Sequence, residues 1–227
     1  MQLFIDTADV RQIRTAQSWG TVDGVTTNPS HIAAAGRDPD ELLAEIFTIV
    51  DGPVSVEVVS LEADKIVREG RAIAALHRNA VVKVPVTVEG LKAVQRLSRE
   101  GVRTNVTVCF SPLQAYLAAK SGATYISPFV HRTDLAGGDG LQLVRDIRTV
   151  YRQHGYSTKI LAASIRTAKE VQEALLAGAD AVTAPFDILE SLYRHALTDT
   201  VLSKFLGDWR QVPPARLFSE ENLARYE

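Results

Sequence analysis

The sequence predicts an α/β chain folded as a single (β/α)8 TIM barrel with a C-terminal helical extension, and three observations carry that prediction. Eight short apolar runs alternate with longer stretches of helical periodicity, the pattern of parallel strands joined by crossover helices. A length of 227 residues, 46% of them hydrophobic, suffices for one sizeable core, and barrels of about 200 to 250 residues form one domain. No Gly-rich dinucleotide or P-loop fingerprint follows any run, which weighs against the rival open doubly wound sheet.

Leu3 to Asp6 is the first strand, and the helix from about Ala8 to Trp19 sets Val10, Ile13 and Ala16 on one face. Gly24 to Asn28 is the second strand; Pro29 stops it and Ser30 caps the helical turn that follows. A helix from Pro39 to Val50, a third strand over Val54 to Val58 and a helix from Ala63 to His77 come next. The fourth strand, Val81 to Val84, is a run of β-branched residues interrupted by Lys83. A helix through Glu100 ends at Gly101, where a C-terminal cap belongs, and Thr104 to Phe110 is strand five.

Ser111-Pro112 is a helix start with serine at the N-cap and proline at the first position. Strand six spans Thr124 to Phe129, and a loop rich in glycine leads to the amphipathic helix Leu141 to Gln153. Lys159 to Ala163 is strand seven and Ala181 to Ala184 strand eight, with a helix from Thr167 to Leu176 between them and helix to about Trp209 after them. The barrel is drawn over 1–211. Pro213-Pro214 breaks the chain, and in the tail 212–227 Ser219 caps a short helix.

Composition narrows the function. The net charge is -2 with no dense basic block, so neither nucleic acid nor an anionic membrane is an expected partner. No apolar span reaches 18 residues and no signal-peptide core opens the chain, which predicts a soluble protein with a small-molecule partner. The single cysteine, Cys109, cannot form an internal disulfide and reads as a small core residue of a cytoplasmic protein. The five histidines lack metal-ligand spacing, so no metal or other cofactor is expected.

In a barrel the chemistry gathers at the C-terminal ends of the strands. Those ends carry Asp6, then Thr26, Thr27 and Asn28, then Ser55 and Glu57, then Lys83, then Asn105 and Thr107. Ser127 and Phe129, followed by His131-Arg132, close strand six; Ser164 and Arg166 close strand seven, and strand eight offers Thr183. A lysine within an apolar strand either reaches solvent along its stem or loses its proton, and a neutral lysine attacks ketones to form Schiff bases. Glu57, on the adjacent strand, is either a general acid and base, directly or through a water held by Thr107, or a counter-ion for Lys83. Asp6 moves a proton at the substrate hydroxyl or caps the helix starting near Thr7. Arg132 and Arg166, with Ser164, clamp an oxyanion such as phosphate or else pair with Asp134 or Glu170 as surface residues. His131, beside Arg132, is expected at the mouth, where it influences substrate choice.

These residues resemble the transaldolases, in particular the small bacterial group that includes fructose-6-phosphate aldolase. The likeness runs from Phe4-Ile5-Asp6-Thr7 through Gly24-Val25-Thr26-Thr27-Asn28-Pro29-Ser30, Val82-Lys83-Val84-Pro85 and Glu89-Gly90 to Ser127-Pro128-Phe129-Val130 and Ala162-Ala163-Ser164. It implies a Schiff base on Lys83 with Asp6 and Glu57 as acid and base. It also implies a dihydroxyacetone pocket lined by Asn28, Ser55, Asn105, Thr107 and Ser127, and an acceptor phosphate held by Arg132, Ser164 and Arg166. Aldolase members resemble one another in having glutamine at the position of Glu57 and tyrosine at that of Phe129. The glutamate and phenylalanine here resemble transaldolases, with a Glu57–Thr107 water relaying the proton. A fructose-6-phosphate aldolase is the alternative within the family, an inert sugar-phosphate-binding barrel the remote one. His131 departs from the small residue many members carry there, which opens the acceptor end to a sulfosugar. The small group is commonly decameric, so the resemblance implies a homo-oligomer, with ten copies by analogy alone.

Overall fold

The computed structural model describes residues 1–213 and 216–226; Pro214, half of the expected break at Pro213-Pro214, lies outside them. Eight strands form a closed, all-parallel barrel in sequence order: β1 (Gln2–Asp6), β2 (Gly24–Thr26), β3 (Val54–Glu57), β4 (Ala80–Pro85), β5 (Thr104–Cys109), β6 (Tyr125–Pro128), β7 (Lys159–Ala162) and β8 (Ala181–Ala184). Closure is between β8 and β1, with Phe4 opposite Thr183. The (β/α)8 architecture expected from the sequence is thus the one observed.

The helices are α1 (Val10–Ser18), α2 (Pro29–Ala35), α3 (Pro39–Ile49), α4 (Ala63–Leu76), α5 (Val88–Arg99), α6 (Pro112–Lys120), α7 (Val130–Leu135), α8 (Gly140–His154), α9 (Ala168–Leu176), α10 (Phe186–Ser191), α11 (Ala196–Trp209) and α12 (Glu220–Leu223). Most are started by a short polar side chain accepting from the first turn: Asp9 for α1, Asp38 for α3, Thr87 for α5, Ser111 for α6, Asp139 for α8. The cap of α2 is Asn28 rather than Ser30, because its Oδ1 accepts the His31 N–H at 2.9 Å and Pro29 fills the first helical position. α7 was not expected. Its six residues are too few to show periodicity, and its N-cap, Phe129, has no capping side chain.

The period of two along each strand separates two cores. Residues facing the helices, such as Val82, Val84, Val106, Ile126 and Ile160, pack with the helical stripes in one large cluster. Phe4, Val81, Tyr125, Leu161 and Ala181 form a separate cluster, which we read as the barrel's floor. Phe4 and Tyr125 meet edge to face at 6.2 Å, and Gly24 leaves them room, since a Cβ there would lie 3.0 Å from the Phe4 ring and 2.6 Å from the Pro53 carbonyl. Two residues on from this floor stand Asp6, Lys83, Ser127 and Thr183, so the alternation that builds an apolar floor also delivers a polar layer above it.

Contacts divide the chain into two compact units, Met1–Glu190 and Ser191–Glu227. The first holds the whole barrel. The second holds α11, a single 3-10 turn (Arg216–Phe218) and α12, capped by Ser219 as expected, with the Trp209 and Phe218 rings in edge contact at 5.4 Å. The boundary suggested by sequence at 211 falls inside this second unit. No helix among the described residues is long and apolar enough to cross a membrane.

Candidate active site

Glu57 and Lys83 are register partners on β3 and β4, and their side chains meet with Nζ 3.0 Å from Oε2. Lys83 is only 7% exposed, so it does not reach solvent along its stem; its ammonium also donates to the Thr27 carbonyl at 3.2 Å. Asp6 does not cap a helix, because α1 starts three residues later on Asp9. Its Oδ1 instead accepts the Thr26 hydroxyl at 2.7 Å. With that one proton committed, the Thr183 hydroxyl is the donor in its 2.7 Å contact with Thr26. His31 Nδ1 approaches the same Asp6 oxygen at 3.7 Å.

Across the barrel a chain of polar groups is closed by hydrogen bonds: Ser127 donates to Asn105 Oδ1 at 2.8 Å, and the Asn105 amide donates to Ser55 Oγ at 3.2 Å. Thr27, although buried, turns its hydroxyl to the Ser55 carbonyl at 2.8 Å. Thr107 is the exception, since its hydroxyl is fully buried without a hydrogen-bond partner among the described residues. A buried hydroxyl in that state costs free energy, and it is a natural seat for a bridging water or a substrate group. It sits just before Val108, whose φ of 61° breaks the β5 register between Val106 and Cys109. This bulge lets Thr107 and Cys109 take opposite sides of the wall, with Cys109 in the helix-facing core.

A cavity of about 80 Å³ opens over this layer. Asp6, Thr26, Asn28, Lys83, Ser127 and Thr183 line it together with Phe129, Arg132, Ser164 and Arg166. The Arg132 guanidinium stacks over the Phe129 ring at 5.9 Å, and that ring is edge-on to Phe110 at 5.7 Å. Neither guanidinium forms an ion pair among the described residues: that of Arg166 donates to the Ile165 carbonyl at 3.0 Å, Asp134 accepts from the Gly140 N–H, and Glu170 accepts from His131 and from the backbone N–H groups of Arg166 and Thr167. The surface-pair alternative for both arginines is therefore not the one observed. Ser164 has φ 59°, outside the usual range for a non-glycine residue, at the turn leaving β7.

His131, expected at the mouth, is not among the residues that line the cavity, nor are Thr27, Ser55, Glu57, Asn105 and Thr107; the His131 Nδ1 lies 3.0 Å from Glu170 Oε1. Thr26 and Thr183, expected at the strand ends but given no role from the sequence, also line the cavity, in parity with Gly24 and Ala181. A wider cavity of about 580 Å³ lies beside α1, α2 and α3, but its charges are already paired, Arg14 and Arg37 with Glu45 and Arg11 with Asp9. No group of three potential metal ligands occurs among the described residues.

The family model for Transaldolase/Fructose-6-phosphate aldolase matches residues 3–222. The chain belongs to that family. A probable transaldolase of Hydrogenobaculum sp. (strain Y04AAS1) is 54% identical over 213 residues, covering 94% of this chain and 98% of that protein. One of Roseiflexus sp. (strain RS-1) is 56% identical over 211 residues, covering 92% and 97%. Among solved structures, an inosine 5'-monophosphate dehydrogenase from Legionella pneumophila aligns with a TM-score of 0.60 at 17% identity, over 83% of this chain and 58% of that one. The carboxyl transferase domain of Rhizobium etli pyruvate carboxylase gives 0.58 at 14%, over 82% and 39%. Those two likenesses concern the barrel alone. Membership of the transaldolase/fructose-6-phosphate aldolase family makes the chain an enzyme candidate, and Asp6, Lys83, Arg132 and Arg166 line one cavity at its barrel mouth.

Proposed function

We propose that the chain is a transaldolase that carries a dihydroxyacetone unit on Lys83, from fructose 6-phosphate or sedoheptulose 7-phosphate to an aldose phosphate. The observation that carries this reading is the buried Lys83 ammonium held at 3.0 Å from Glu57 on the next strand, in a mouth it shares with Asp6. Glu57 takes a proton from the ammonium, and the free amine adds to the ketose C2 carbonyl. Water leaves, and the resulting cationic imine is an electron sink. As Asp6 takes the proton of the C4 hydroxyl, the C3–C4 bond breaks, its electron pair moves toward nitrogen, and an aldose departs. The three-carbon enamine then bonds to an acceptor aldehyde, whose oxygen takes the Asp6 proton, and water hydrolyses the new imine.

The orphan hydroxyl of Thr107 supports a water between it and Glu57 as the relay. Phe129 supports transfer over release, since a phenyl ring has no proton to give the enamine. Arg132 and Arg166, neither in an ion pair among the described residues and both lining one cavity with Ser164, support an anionic substrate end. Intact-protein mass after incubation with fructose 6-phosphate and borohydride tests the reading. One reduced dihydroxyacetone unit is expected on the wild type and none on Lys83→Ala; no adduct on either sinks it. Cleavage of fructose 6-phosphate at full rate without an acceptor would favour the aldolase instead.

The same proposal extends to assembly. α11 buries none of its residues, yet Leu197, Val201, Leu202, Phe205, Leu206 and Trp209 recur at helical spacing along it, each at least 44% exposed. An apolar stripe of that kind supports a homo-oligomer built on this helix. Light scattering should give a multiple of the 24.8 kDa chain mass that falls to the monomer in Leu202→Glu/Phe205→Glu. A buried, reduced Cys109 is in keeping with a cytoplasmic location.

A further inference from the structure

His131 stands outside the cavity, yet it joins the two segments that carry the cavity's arginines. Its ring donates from Nδ1 to Glu170 Oε1 at 3.0 Å. The second carboxylate oxygen, Oε2, accepts the backbone N–H of Arg166 at 2.6 Å and of Thr167 at 3.1 Å, the latter as one half of the capping box that starts α9. One carboxylate therefore gathers donors from α7 and from the loop before α9. Arg132 is the residue next to His131, and Arg166 is itself one of the donors. The Glu170 side chain is 13% exposed and the His131 side chain 33%, so the carboxylate is largely shielded from solvent while the ring is partly exposed.

A helix as short as α7 does not hold itself in place, and its N-cap supplies no side-chain bond. Main-chain bonds from Val130 to Ala163 and from His131 to Ser164 hold its first turn to the end of β7. The His131 ring is its side-chain link to α9. We propose that the His131–Glu170 pair is a positioning device that sets the separation of the Arg132 and Arg166 guanidinium groups and so the affinity of the cavity for a phosphate-bearing sugar. This rests on the anion-binding role assigned to the two arginines. Two forks bind one tetrahedral oxyanion tightly only when both are held ready for it, since ordering them at the moment of binding costs free energy.

Titration calorimetry of inorganic phosphate into the full-length protein tests the proposal without depending on turnover, with thermal melts to verify that each variant is folded. His131→Ala should weaken phosphate about tenfold, the order expected for one charge-assisted hydrogen bond. His131→Gln, whose amide still donates to Glu170, should stay within about threefold of the wild type. In a Glu170→Ala background, His131→Ala should add nothing further. In transfer assays the KM for a phosphorylated acceptor should rise in His131→Ala relative to that for its unphosphorylated counterpart. Wild-type phosphate affinity in His131→Ala, a loss that glutamine does not restore, or equal KM changes for both acceptors would overturn the proposal. A wild type that binds no phosphate overturns it together with the arginine clamp. Phosphate binding without a borohydride-trapped imine would instead remove the Schiff-base reading and leave the positioning role standing.

Discussion

Glu57 and Lys83 lie opposite one another in the β3–β4 register, and the carboxylate and ammonium meet at 3.0 Å with both side chains largely buried. Adjacent parallel strands impose the pairing, because residues that share a register and a face cannot avoid one another. Glu57→Gln keeps the size of the side chain but cannot take the proton. Its transfer rate should fall by about 10²- to 10⁴-fold, the usual span for a positioned general base, while Lys83 remains competent to form a trapped adduct on long incubation. Steady-state transfer kinetics beside borohydride mass measurements check this, and a wild-type kcat in the variant would rule out the assigned role.

Thr107 separates function from stability. Its hydroxyl is buried and unpartnered among the described residues, so Thr107→Val breaks no hydrogen bond within the protein. Its stability should be equal to the wild type or higher by about 1 kcal/mol. Transfer should still fall by about tenfold or more if the hydroxyl holds the water that serves Glu57. A melt and a coupled assay on the same preparation decide it: activity at the wild-type level would remove Thr107 from the relay.

Val108 carries backbone strain. A β-branched residue at φ 61° costs on the order of 1–3 kcal/mol, whereas glycine adopts that angle freely but loses more entropy on folding. The balance predicts that Val108→Gly raises stability by about 1 kcal/mol, read as an increase in the urea midpoint. A decrease would mean that the valine side chain, 39% exposed, packs more usefully than its angle suggests.

Cys109 supplies a pH dependence. Burial pushes its thiol from an ordinary 9.0 up to about 12, with backbone hydrogen bonding from Ser111 and Ala115 as a weaker opposing influence. The folded chain therefore keeps the proton after the unfolded chain has released it. Stability from this group is full below pH 9 and is lost as the pH climbs toward 12. Burial raises the Tyr151 phenol as well, so the slope should be reduced rather than abolished in Cys109→Ala. Denaturant melts between those limits test the sign, and the native thiol should stay silent to a disulfide reagent at pH 8.

Much of this was legible in the residues. The alternation of short apolar runs with helical stretches determined the barrel, and the strand-end residues Asp6, Glu57, Lys83 and Thr107 were visible as polar groups where a barrel keeps its chemistry. Parity along a strand and the order of strands are local or nearly local properties, which is why a sequence can express them. The partners were not legible. Whether Asp6 capped a helix or met Thr26, and whether Arg132 and Arg166 paired with acids or faced a cavity, depended on groups far apart in the chain. α7 was hidden because six residues hold too few turns to leave a pattern. His131 drew attention because it precedes Arg132, but its tie to Glu170, thirty-nine residues on, was not legible, since it exists because β6 and β7 are neighbours in the closed sheet. The sequence by itself determined that polar residues gather at the ends of the strands. Only the tertiary structure decided which of them touch, since contact at hydrogen-bond range is set by the register of neighbouring strands and the placement of the short helices above them.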